Sequence, residues 1–452
     1  MSVSERLIDH ALSLRWNDLP EATQDSARTF LHDSLCVGAA GRNAAHADAV
    51  FAMTQGWGEG CRAGVLGRAG VRLPAASAAF VNAFQIHGQE YDCVHEPAVL
   101  HPMATILAVL LAELDRGKSV DGARFLTAIV AGVDVAVTLG LAATGPLTFF
   151  RPATAGIFGC IAAIASLRCI DRRTACDAIG HALAFASGTM QAHVEGKPAL
   201  PIQIANAARA ALVAVDLALA GMPGVAQPID GPFGYLSLFE TRSDPASAMA
   251  GLGLGHRITE VSWKPFPTGR AGHGGIVAVQ TLMAEHGVTA GMLETLDYHA
   301  PPLIHRLVGR PVQDAMSPGY ARLCLPWLAA AALQRGTVGL GDFRADLLAD
   351  PVTLALARRV TVVADANPDP AAFVPACAIA RLQDGRVLRV DVTAQLGAPA
   401  FPLTPKQHRA KARDCLAFVG LEQCDDRLFD AIATLDQADD AAASLRRTGI
   451  IG

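Results

Sequence analysis

"EYDCVHEPAVLHP", residues 90–102, gathers Glu90, Asp92, His95, Glu96 and His101 in a chain with only 17% charged residues. Acids set beside histidines orient an imidazole and raise its basicity, so the run is a candidate for proton transfer. Its spacing matches neither a zinc nor an EF-hand template, and no metal is expected there. Cys93 lacks the third member of a nucleophilic set and reads as a buried thiol.

A second cluster is "WKPFPTGRAGHGGIVAVQ", residues 263–280, with Lys264, Arg270 and His273 on a Gly-rich turn before a helix expected from about Gly275. Exposed amides, a helix N-terminus and three basic side chains would cradle an anion. Neither the GxGxxG nor the Walker spacing is met, which argues against a nucleotide cofactor; a Gly-rich domain boundary is the competing reading.

His101-Pro102 and Arg151-Pro152 both open helices, and proline at a first helical position leaves the preceding side chain beside free N–H groups and the positive end of the dipole. A carboxylate could be held there, or both side chains could point to solvent. Asp33 and Asp134 read as hydrogen-bonded structural acids within helices. His193, Lys197 and Gln203 flank the Pro-rich break "HVEGKPALPIQ", an ordinary loop, and His299 ends a strand before Ala-Pro-Pro.

The elements that must position these groups change texture along the chain. From residue 5 to about 255, helix follows helix, most of them apolar nearly all round and therefore interior to a large bundle. From "HRITEVSWKPFP" (256–267) strand-like alternation enters, followed by strands at "LETLDYHAPP" and "RRVTVVAD" and by a hairpin turning at Asp384-Gly385. "LTPKQHRAKARDCLAFVG" returns to helix, with Thr404 as N-cap and Pro405 in the first turn. The reading is mainly α: a helical domain over 1–258, a smaller inserted α+β lid domain over 259–400, and C-terminal helices over 401–452 that rejoin the first domain. A cleft between two such domains is a usual small-molecule site.

Composition supports this reading. A chain of 452 residues is too long for one ordinary core. With 51% hydrophobic residues and a mean hydropathy of +0.31, burial must be extensive and disorder is not expected. A net charge of −5 without a basic block leaves nucleic acid no electrostatic footprint. Ten scattered cysteines with no CxxC pair point to reduced thiols in a cytoplasmic protein. The N-terminus reads as an amphipathic helix without a signal-peptide core. "FLTAIVAGVDVAVTLGLAATGPLTFF" (125–150) approaches membrane-spanning length. Asp134 at its middle, and Ala, Gly and Thr in place of lipid-facing leucines, make it a buried core helix, so no membrane association is expected.

In this order the motifs resemble those of the MmgE/PrpD family over nearly the whole chain. The segments that carry the resemblance are "FLHDSLCVGAAG", "NAFQIHGQEYDCVHEPAVLHPMA", "TFFRPATAGIFGCIAAIASL", "IQIANAARAALVAVDLALAGMPG", "DGPFGYLSLF", "WKPFPTGRAGHGGIVAV" and "ARLCLPWLAAAALQRG". The resemblance implies a homodimer of chains with a helical domain and an α+β lid. It also implies an active site without metal or cofactor, at which small di- and tricarboxylates lose or gain a proton next to a carboxylate.

Residue by residue, His101, Lys264 and His273 match family positions, Asp92 matches an acid, and Glu90 replaces another. The departures are Cys93 for an acid, Val94 for a hydroxyl residue, Arg151 for a histidine, Leu200 and Gln203 for a lysine and a histidine, and Trp327 for a lid tyrosine. Arginine cannot act as acid or base at neutral pH, and Lys197 is placed to compensate for Leu200. The expectation is a lyase (dehydratase or decarboxylase), or an epimerase using the same proton chemistry, or a non-catalytic carboxylate binder. His101, Asp92, Glu90, Lys264 and His273 would be catalytic; Arg151, Lys197, Gln203, Arg270 and Trp327 would bind substrate.

Overall fold

The computed structural model describes residues 1–60 and 63–452; Cys61, one of the ten cysteines, lies outside the described residues. The protein is mainly α. The helices that matter for the site are α1 (Val3–Ser13), α2 (Glu21–Ala40), α3 (Ala75–His87), α4 (Pro102–Leu114), α5 (Gly122–Ala142), α6 (Gly156–Arg168) and α7 (Ala199–Leu219). Small residues let these helices approach closely. A Cβ on Gly132 of α5 would lie 2.8 Å from the Ala163 Cβ of α6, and one on Gly159 would lie 2.6 Å from the Ala136 Cβ. Alanine and glycine thus set the interhelical distance, and the apolar helices must be interior. Of the most apolar stretch of α5, 94% is buried, as a core helix requires; α7, the other long apolar helix, is 56% buried.

One hydrophobic core runs from Leu7 to Val261 and resumes from Ala412 to Ile450, with Leu323 and Leu340 joining it. A second spans Phe266 to Val392. The second contains α8 (His273–His286), β1 (Leu293–Ala300), α9 (Leu325–Arg335), β2 (Val360–Ala364), β3 (Ala376–Leu382) and β4 (Val387–Val392). Its sheet has the order β2-β1-β3-β4, with β1 and β2 parallel and the other pairs antiparallel. The hairpin turns at Gly385, whose φ of 85° suits glycine. Helix α10 (Pro405–Ala417) begins with the Thr404 cap and returns the chain to the first core.

The strand expected in 256–267 does not form. Arg257–Glu260 is a 3₁₀ turn, and beyond it there is a single bridge from Ser262 to Val94. Pro265 and Pro267 remove ladder donors, which prevents a longer pairing. The helix expected from Gly275 starts two residues earlier, at His273, and the one opened by Arg151-Pro152 is a single turn to Thr154 before α6.

Candidate active site

Helix α3 ends at His87, and the turn that follows aims the acids inward. Glu90 sits at φ 51°, a left-handed conformation that costs a non-glycine residue about 1–2 kcal/mol. Its amide donates to the His87 carbonyl at 2.9 Å, closing the turn. Lys411 of α10 pins the next residue by donating to the Tyr91 carbonyl at 3.0 Å, while its ammonium also meets Asp33 at 2.8 Å. The chain before Glu90 and after Tyr91 is therefore held at fixed points of the larger core.

At the centre lies Asp92, fully buried. Its Oδ2 is shared by two imidazoles, His87 Nδ1 at 3.0 Å and His101 Nδ1 at 3.1 Å. Lys264, also fully buried, donates to Glu90 Oε2 at 2.8 Å and stands 3.7 Å from Asp92 Oδ1. His87 Nε2 lies 3.4 Å from Glu90 Oε1. Two acids, two imidazoles and one ammonium thus form one connected group.

Its electrostatics separate the two histidines. Burial would lower His87, but the fields of Asp92 and Glu90 outweigh it and raise the imidazole above its ordinary value. Burial prevails at His101 and holds it below 6.5, against the pull of Asp92. His101 also caps α4, where the positive end of the helix dipole disfavours an imidazolium. With Nδ1–H donated to Asp92, the Nε2 lone pair of a neutral His101 is the available base. Burial would raise both carboxyls, yet Lys264 and the two histidines hold Glu90 at about 2 and Asp92 well below the usual carboxylate range. Imidazoles driven in opposite directions are the signature of an acid–base pair.

Two cavities meet at Glu90 and Leu323. One, of about 60 Å³, is lined by His101, Phe150, His193, Arg270 and Phe373. The other, of about 220 Å³, is lined by His46, His87, Lys197, Ser317 and Arg322. A more open depression of about 540 Å³ beside Trp16 and Arg124 lies away from the buried acids and imidazoles of this group.

The structure redistributes the expected roles. Arg151 is buried and bidentate to Glu240 at 3.1 Å, with a further bond to the Gly145 carbonyl, so its fork is occupied. Gln203 accepts from the Thr189 amide at 2.6 Å and braces a loop. Trp327 is fully buried in the second core, packed on Phe343 at 5.5 Å. His273 is fully buried between Arg270 Nη1 and the Thr268 carbonyl, where burial and the Arg270 charge hold it far below its ordinary range. Arg270 lines the smaller cavity but is already paired with Glu96 at 2.7 Å and bonded to the Leu396 carbonyl. Lys197 is exposed on the wall of the larger cavity, without an ion-pair partner among the described residues. Cys93 is buried with its thiol raised well above the ordinary range, hence unreactive.

Three residues outside the expected set enter the site. His87 was present in the "QIHGQEYD" stretch, three positions before Glu90. His193, placed in a loop by its neighbours, lies in the short helix Gln191–Glu195, and burial, with Arg310, lowers it to about 4. Arg322 is 4% exposed and bonds only carbonyls: those of Gln89 (main chain and side chain) and Pro267. Burial lowers it to about 9. A buried guanidinium with no carboxylate partner among the described residues, on a cavity wall, has the chemistry to bind an anion. No short-range signal marks Arg322, because its importance rests on burial opposite a segment 233 residues away.

The His87, Asp92 and His101 ligand atoms lie within 4.8 Å of one another, a spacing a divalent ion accepts. Lys264 already supplies the cation at that place.

The MmgE/PrpD N-terminal domain model matches residues 5–248 and the MmgE/PrpD C-terminal domain model matches residues 266–437. Over 97% of its length, the chain is 25% identical to cis-aconitate decarboxylase of Mus musculus, covering 91% of that protein. It is 27% identical to cis-aconitate decarboxylase of Homo sapiens over 71% of this chain and 68% of that one. Two matching domains in order, around one buried group of acids, imidazoles and lysine, establish that the chain belongs to the MmgE/PrpD family.

Proposed function

We propose that the protein is a cofactor-independent lyase acting on a small di- or tricarboxylic acid, by proton transfer at a carbon next to a carboxylate. The observation that carries this reading is the single buried Asp92 bridging two imidazoles of opposite charge preference, beside an unpaired Arg322.

Arg322 and Lys197 would bind carboxylates from the wall of the larger cavity. His101 Nε2 would take the proton, and Asp92 would hold the imidazolium that forms. Negative charge then develops on the adjacent carboxylate. Lys264 and the His87 imidazolium stabilise it through a buried, water-poor medium, which is where such fields act most strongly. For a hydro-lyase, the C–H electrons form the new double bond and the hydroxyl leaves as water with a proton supplied by the His87 imidazolium. For a carboxy-lyase, CO₂ departs, the electrons of the breaking C–CO₂ bond pass into the carbon chain, and His101 acts in the reverse sense, its protonated form giving that carbon the proton.

The α+β unit supplies Lys264 and Arg322 and would act as the lid. Cis-aconitate is the first substrate to try, given the relatives' names. A second reading has its own observation: His101 and His193 line the same small cavity, where one imidazole could take the proton and the other, in its protonated form, return one to the opposite face of an epimerase substrate.

Proton NMR in D₂O with cis-aconitate, 2-methylcitrate and iminodisuccinate tests both readings. Deuterium beside a carboxylate with formation of an unsaturated product supports the lyase, and exchange with inversion supports the epimerase. Binding without exchange or turnover of any of these acids would overturn the catalytic reading.

A further inference from the structure

A second His–Asp–His group lies elsewhere in the larger core. Asp134 of α5, 1% exposed in its side chain, receives His10 Nε2 from α1 at 2.9 Å and His256 Nδ1 from the connector at 2.8 Å, both on Oδ2. Its Oδ1 accepts the Arg257 amide at 2.7 Å, which fixes the carboxylate plane. The three ligand atoms lie within 4.8 Å of one another. Both imidazoles keep an exposed edge, at 10% and 12% of their side-chain surface.

We propose that His10, Asp134 and His256 form a binding site for a divalent transition metal of the zinc class, with solvent at the fourth position. The donor set, two imidazole nitrogens and one carboxylate oxygen, is one that zinc accepts. Zinc–ligand distances of about 2.0–2.2 Å place neighbouring tetrahedral donors roughly 3.4 Å apart; here the imidazole nitrogens stand 2.9 and 2.8 Å from the carboxylate oxygen, with all three donors within 4.8 Å. A modest rotation of each ring admits the ion.

Charge decides that this group, and not the catalytic one, takes a cation. Asp92 has Lys264 at 3.7 Å and a histidine that favours its charged form. Asp134 has no lysine or arginine side chain within ion-pair distance among the described residues: Arg257 turns its guanidinium to Glu260 at 2.9 Å, and Arg6 bonds the Met249 carbonyl. The carboxylate of Asp134 is therefore bonded, among the described residues, only to the two imidazoles and the Arg257 amide, with no fixed cation in the place an ion would take. The backbone amide serves as the outer partner that holds the ligating carboxylate in place.

The ion would join three elements: the N-terminal helix, the central helix α5, and the connector that leads within eight positions to Lys264. Its consequence is therefore structural, fixing the end of the segment that delivers the lysine.

The test uses the full chain, stripped with EDTA and titrated with zinc sulfate by calorimetry, with metal content measured after gel filtration. The expected result is one zinc per chain and a higher melting temperature with zinc than with EDTA. Affinity should fall by roughly tenfold or more in His10→Gln and in His256→Gln. His101→Gln should leave zinc affinity unchanged. Cobalt(II) in place of zinc should give the intense visible bands of a low-coordinate site, absent in His256→Gln. Should one histidine variant fail to fold, the other still decides. No tight zinc binding, or equal affinity in the wild type and both variants, would overturn the proposal, as would loss of binding in His101→Gln alone.

Discussion

Asp92 and Asp134 are both buried, and each offers one oxygen to two histidines at 2.8–3.1 Å. Their second oxygens meet different neighbours. Asp92 Oδ1 faces the Lys264 ammonium, and Glu90 adds a further charge to the same group; Asp134 Oδ1 meets a neutral peptide N–H. Around Asp92, the fields of Asp92 and Glu90 raise His87 while burial lowers His101, and the two imidazoles part in acidity. Around Asp134 no lysine or arginine side chain stands within ion-pair distance among the described residues, and the carboxylate meets only two imidazoles and a peptide N–H. Under the two proposals, the same side chains would serve proton transfer in one place and cohesion in the other, with the nearest fixed cation as the difference.

The sharpest way to break this comparison is to change one histidine in each group. His101→Gln should cut turnover by about 10²–10⁴-fold, the usual worth of a positioned general base, with substrate binding retained in calorimetry. His10→Gln should leave kcat and KM essentially unchanged. Equal effects of the two variants on turnover would abolish the distinction.

Next in size is Lys264→Ala, expected to lower turnover by roughly 10²–10³-fold as a buried stabilising charge is lost. It also leaves Glu90 and Asp92 without their cation, so a destabilisation of about 3–5 kcal/mol should accompany it in chemical denaturation. Near-normal turnover would remove Lys264 from the mechanism.

Arg151→Met isolates structure from chemistry. It exposes the buried Glu240 carboxylate to an apolar neighbour and should cost about 3–5 kcal/mol of stability, while KM at permissive temperature stays unchanged. A raised KM would restore Arg151 to the substrate site. Arg322→Lys should do the reverse, raising KM by about tenfold through loss of a bidentate carboxylate contact, with little change in stability.

The pH dependence is the mildest probe. Because His101 is shifted below 6.5 and acts as its neutral form, kcat/KM should be flat around neutrality and fall only when acid protonates that imidazole. A decline already beginning above pH 7 would mean that His101 is not the base.

Much of the architecture was legible from local signals. Thr404 followed by Pro405 marks the start of α10, Asp384-Gly385 marks the hairpin, and His101-Pro102 marks the N-terminus of α4. Each depends on backbone geometry within a few residues. The strand expected at 256–267 failed because pairing is a contact between distant segments, and alternation cannot reveal whether a partner is there. The site was half legible. Glu90, Asp92 and His101 lie within twelve positions and find one another locally, with Lys264 brought to them by the fold. No local signal announces that Arg151 pairs with Glu240, 89 residues away. Arg322 was missed because its contacts, to the carbonyls of Gln89 and Pro267, come from distant segments, and no carboxylate among the described residues pairs with it.

Side-chain chemistry, helix boundaries and the concentration of acids and imidazoles in one run were determined by the sequence itself, because propensity, capping and ligand type are properties of near neighbours. Which of the fixed cations is free, which histidine is neutral, and which Asp-centred group has a fixed cation beside it were decided only by the tertiary structure. Electrostatic energies depend on distance and desolvation, and both are set by packing between residues far apart in the chain.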